Sequence, residues 1–162
     1  MCLVEYSINE NFGENMKDIR LIAERFKKHL RAMDKKVAIF WALDCAQKVL
    51  CYFEISCPFD LRPRTAMQTT KEWLEGTVSF KQIRRSALDA HTAARQVNDL
   101  KASYAARSCS RAVATAHVIT HAAGAALYAL KVFEQIDPEL VEKELSWQFK
   151  RLIQQKGEQN EL

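Results

Sequence analysis

Glycine and proline are scarce in this 162-residue chain, at 4 and 3 residues. An all-β fold asks for turn residues roughly every 8–12 positions, so their scarcity points to helices. No glycine-rich phosphate loop is present, since Gly13, Gly76, Gly124 and Gly157 stand alone. No Gly-x-Ser-x-Gly elbow offers a nucleophile. Five cysteines (Cys2, Cys45, Cys51, Cys57 and Cys109) form an odd set without CxxC spacing, which fits neither a disulfide framework nor a zinc site. Cys45 and Cys109 fall among apolar helix positions and read as small core residues. No run approaches the roughly 18 apolar residues of a membrane span. The opening MCLVEYSINENFGENM lacks the basic segment and apolar run of a secretory signal, so the chain reads as cytoplasmic.

What is present is the composition of an ordinary globular domain, 48% hydrophobic and 27% charged. A chain of this length can bury about two-thirds of its unfolded surface in one core. The expectation is one domain over residues 1–162, with loose tails at 1–13 and 154–162. Apolar residues recur at three- and four-residue intervals almost throughout, the mark of amphipathic helices. The first helix is expected over about Glu14 to Met33, with Met16, Ile19, Ile22, Phe26, Leu30 and Met33 as its stripe. In the second, Lys35 to Ser56, apolar residues wrap most of the circumference, which predicts a central position. The prolines of Cys57-Pro58-Phe59-Asp60-Leu61-Arg62-Pro63-Arg64 break the pattern.

A third helix is expected over Arg64 to Leu74, stopped by Gly76. A fourth follows the cap Ser79 and ends at Asn98-Asp99. Two alanine-rich helices separated near His117 to Thr120 come next, because small residues let helix axes approach closely. Asp137-Pro138 starts a last helix with Val141, Leu145, Phe149 and Leu152 inward, fraying from Gln154. The fold class is therefore all-α: about seven helices in stacked antiparallel hairpins, HEAT-like or otherwise, or in a compact bundle. The echo of Ala42-Leu43-Asp44 in Ala87-Leu88-Asp89 raises a helical repeat.

The net charge is +4. The excess gathers in the first third, around Lys27, Lys28, Arg31, Lys35 and Lys36, and with Arg84 and Arg85 it admits a nucleic-acid surface. The aromatics needed for base stacking are not interleaved there. His117 and His121, four apart, would share a helix face, and with His91 they raise a metal set of the kind a metal-dependent hydrolase uses. The bland alternative makes all three hydrogen-bonding anchors between helices. In the loop, Arg62 and Arg64 each offer a planar fork to an anion or a partner. Alternatively Asp60, Asp44 or Glu54 takes a fork and pins the loop.

Three runs carry a resemblance. They are Trp41-Ala42-Leu43-Asp44-Cys45-Ala46 with Val49-Leu50, Phe53-Glu54, Pro58, Asp60, Arg62-Pro63-Arg64 and Trp73; Arg85 through Arg95; and Ala114 through Ala129. Together, over about residues 35–133, they resemble the immunity-five-like family of bacterial polymorphic toxin systems. The resemblance implies an all-helical, non-catalytic protein that neutralises a toxin encoded nearby by stoichiometric binding, with no cofactor. It marks Asp44, Glu54, Asp60, Arg62, Arg64, Trp73, Arg85, His91, Arg95, His117, His121 and Tyr128 as motif or partner-binding positions. The family pattern often has a proline where this chain has Ile119.

Overall fold

A computed structural model describes residues 19–160. Seven helices occupy them, with no strand among the described residues: α1 (Ile19–Leu30), α2 (Lys35–Ser56), α3 (Arg62–Leu74), α4 (Phe80–Gln96), α5 (Leu100–Ala114), α6 (His121–Ile136) and α7 (Glu139–Asn160). Residues 14–18 of the expected first helix, and both chain ends, lie outside the described residues.

The helix ends follow the side chains beside them. Asp34, Asp99 and Asp137 each accept a backbone N–H of the helix they precede. Ser79 and Gln82 close a reciprocal capping box on α4. Helix α3 starts at Arg62, two residues before the expected Arg64. Pro63 fits its first turn, where a backbone N–H would have no helical partner. At the other end Gly76 N–H donates to the Trp73 carbonyl and Thr77 N–H to the Glu72 carbonyl. This closure needs the left-handed backbone of Gly76, whose φ is 78°. A Cβ there would meet nothing within 4 Å, so Gly76→Ala tests backbone strain alone. It is expected to cost about 1–2 kcal/mol, read from the shift of a urea denaturation midpoint.

Helices α4, α5 and α6 pack side by side in chain order, and α5 also touches α2 and α3. Helix α2 lies across α5 and α6, while α7 closes over α2 and α6. A solenoid would pair each helix mainly with its neighbours in sequence. Here α2 meets α5 far more extensively than it meets α3, so the arrangement is a compact bundle. The sequence echo does not mark equivalent places: Leu43 is buried, whereas Leu88 is 58% exposed.

Buried residues surround α2, from Ala38 and Ile39 to Leu50 and Phe53, in keeping with its central position. Trp41 and Phe26 are fully buried, and Phe26 stacks on Phe149 of α7 at 4.4 Å between ring centroids. The α4–α6 layer is lined with buried alanines, among them Ala90, Ala94, Ala105, Ala112, Ala122 and Ala126. Short serine bonds cross it: Ser103 to the Ala94 carbonyl, Ser110 to that of Ala87, and Ser108 to that of Ala125.

Two expectations change. Helix α7 does not fray at Gln154: it continues to Asn160, with Leu152 and Gln155 buried. The first helix loses part of its stripe, since Ile19 is 41% exposed.

Candidate functional site

The loop between α2 and α3 is fixed at both flanks. Arg62 donates through Nε and Nη2 to the two carboxylate oxygens of Asp60, at 2.9 and 2.6 Å, and through Nη2 to Gln96 of α4 at 2.8 Å. Arg64 grips Glu54 with two bonds of 2.5 and 2.8 Å. Both forks are bidentate, a geometry that orients as well as attracts. The Arg62 bond holds the Asp60 carboxyl below its ordinary range. Asp44 takes no part: it accepts from Arg151 and Gln155 of α7. Between these struts Phe59 stands 97% exposed, with Leu61 at 59%. A cleft of about 320 Å³ opens beside them, floored by Thr65, Ser86 and Asp89.

The histidines divide. Helix α5 ends at Ala114 and α6 begins at His121, so His117 and His121 do not share one continuous helix. The break forms with Ile119 in place of proline. Tight turns carry it, from Thr115 N–H to the Ala112 carbonyl through His117 N–H to that of Ala114. His121 Nδ1 lies 3.2 Å from the Ala114 carbonyl oxygen and serves the open end of α5. His117 packs its ring on Phe80 at 4.6 Å, and Phe80 in turn lies 6.4 Å from Trp73. Both His117 ring nitrogens are buried with no hydrogen-bond partner, so the hydrogen-bonding role expected of it is not the one found. Among the described residues no three His, Cys, Asp or Glu side chains gather as a metal set, and the one raised for His91, His117 and His121 is not formed.

Burial holds His117 below its ordinary value, and the charges of Arg84, His121 and Lys35 push the same way. Its ring is thus harder to protonate in the folded chain than in the unfolded one. Stability is therefore full above the unfolded value of about 6.5 and falls as pH drops below it. His29 and His91 are shifted the same way, again first by burial. His117→Phe removes no hydrogen bond and should flatten the loss of urea midpoint on acidification. An equal loss in both proteins would clear His117 of the effect.

The remaining motif positions are spread over the surface. Arg85 pairs with Asp89 at 3.1 Å, and Arg95 is exposed on the same helix. Tyr128, half-buried on α6, faces Tyr104 of α5 with centroids 6.1 Å apart. In the basic first third, Lys27 is tied to Glu24 at 2.9 Å. Cys45 and Cys109 are fully buried, which pushes the Cys109 thiol up to about 12 and leaves it unreactive.

One polar cluster escaped the sequence reading. Glu144 of α7, only 4% exposed, accepts Lys48 Nζ of α2 at 2.5 Å and Gln148 Nε2 at 3.2 Å. The Gln148 side chain also donates to the Ala126 carbonyl, and the Gln148 backbone carbonyl accepts the Trp41 indole N–H at 2.9 Å. With Arg151 and Gln155 on Asp44, these groups make a seam between α2 and α7. The three- and four-residue spacing of Glu144, Gln148, Arg151 and Gln155 was the available signal.

Fold and side chains together define an all-helical protein whose conspicuous polar groups mostly hold helices and one loop to each other. No helix among the described residues is long and apolar enough to cross a membrane. Residues 28–155 match the family described as "Imm-5 like putative immunity protein", and the chain belongs to that family. Neither a curated protein nor a solved structure matches it.

Proposed function

We propose that this chain is a cytoplasmic, non-catalytic immunity protein of a polymorphic toxin system, and that it neutralises its toxin by binding it one to one. The observation that carries the reading is the loop: Phe59 is 97% exposed on a segment whose flanks are fixed by two bidentate arginine pairs. An aromatic ring held in water gains most when a partner covers it. A loop already ordered loses little conformational freedom on binding. Asp60, Arg62 and Arg64 act there as struts and as a polar rim, and a contact of ordinary size would cover about 800 Å² on each partner.

The test is titration calorimetry with the purified toxin domain encoded beside this gene, paired with growth rescue on co-expression. One-to-one binding is expected. Phe59→Ser should weaken it by about 2 kcal/mol, roughly 30-fold, without changing the melting temperature. A toxin domain that fails to bind the wild-type chain would refute the reading.

A further inference from the structure

The arginines of the loop are occupied, so the positive charge free to meet a partner lies elsewhere. Among the described residues, no carboxylate comes within 4.0 Å of Arg95 on α4, Arg107 and Arg111 on α5, or Lys131 on α6. These side chains belong to three helices packed in a row, and aromatic rings stand among them. Lys131 Nζ lies 5.4 Å from the ring centroid of Tyr104 and 5.5 Å from that of Tyr128. The Arg107 guanidinium lies 5.9 Å from the Tyr128 ring. Gly124 makes room for the fourth cation, since a Cβ there would stand 3.3 Å from both Cγ and Cδ of Arg111. Arg95, Arg107 and Arg111 all act on His91, which marks them as one electrostatic neighbourhood.

We propose that this outer face of α4, α5 and α6 is the charged half of the toxin contact, and that the toxin presents carboxylates to it. The inference rests on the toxin-binding reading and adds the chemistry of the partner's surface. Gathered cations without counterions raise a positive potential that costs self-repulsion in the free protein and draws an acidic surface to it. Arginine and tyrosine are also the residue types that dominate binding energy at protein contacts. A nucleic acid is the lesser fit. The two tyrosines already carry cations over their rings, whereas a strand binder keeps open aromatic faces for bases to stack on.

The experiment compares Arg111→Glu/Lys131→Glu with a charge-matched control, Lys143→Glu/Lys150→Glu on the exposed side of α7, each titrated with the neighbouring toxin domain. The face variant is expected to lose about 100-fold or more in affinity, with most of the wild-type salt dependence gone. The control should stay near wild type. Far-UV circular dichroism confirms folding, and Arg111→Gln/Lys131→Gln, which brings no new charge, should fall between.

If wild type binds and both charge-reversal variants bind as it does, the inference fails while the toxin-binding reading stands. If the two weaken equally, net charge alone acts and the inference also fails. No binding by wild type removes both together. A single-stranded oligonucleotide that competes with the toxin for this face would overturn the acidic-protein assignment.

Discussion

Trp41→Ala is expected to cost about 3–5 kcal/mol, the range for removing a large buried aromatic. Trp41 is 0% exposed, packs against Phe26 at 5.0 Å, and donates its indole N–H to the Gln148 carbonyl. The alanine variant loses that packing and opens a cavity where α1, α2 and α7 meet. Domains of this kind are stable by only about 5–15 kcal/mol, so the variant should be partly unfolded or nearly so at 37 °C. Trp41→Phe keeps most of the ring and loses the hydrogen bond, for about 1–2 kcal/mol. Urea unfolding followed by far-UV circular dichroism measures both. A cost below about 1 kcal/mol for alanine would mean that the three helices close over the gap.

The second large effect concerns the ion pair of Lys48 and Glu144, whose two halves are unequally buried. The Glu144 side chain is 3% exposed and that of Lys48 34%. Lys48→Met leaves a buried carboxylate with only Gln148 to donate to it, and is expected to cost about 2–3 kcal/mol. That lies below the usual range for breaking a buried pair, because solvent already screens Lys48. Lys48 also rides over the Trp147 ring at 3.7 Å, a contact the methionine replaces in part. Glu144→Leu should be milder, since the freed ammonium turns to water. The double variant Lys48→Met/Glu144→Leu is expected to recover much of the loss, as paired apolar replacements of buried ion pairs do. A double variant no more stable than Lys48→Met alone would show that the seam acts through Gln148 and not through the charges.

The helices were legible because their ends are written in short-range chemistry. Asp34, Ser79, Asp99 and Gly76 each act within a few residues of their own position. The central place of α2 was legible too, from apolar residues on every side. What periodicity could not supply was the partner of each polar group. Asp44 looked equivalent to Asp60 and Glu54 as an acceptor for the loop, yet it faces α7, and Arg151 sits 107 positions away in sequence. His117 looked like a hydrogen-bonding anchor and is instead packed on Phe80. The tyrosine and cation face was hidden for the same reason: Tyr104, Tyr128 and Lys131 lie on different turns of two helices. Their meeting is a consequence of how α5 and α6 align.

The alanines between α4, α5 and α6 limit how this molecule can change. An added methylene between backbones so close has nowhere to go, and overpacking of that kind costs about 1–3 kcal/mol. Substitutions tolerated in this layer are therefore confined to its outward side, where Arg95, Arg107, Arg111 and Lys131 stand. An incompressible interior beneath a more tolerant exterior would let descendants of this chain redraw their surface charge with the helix axes left where they are.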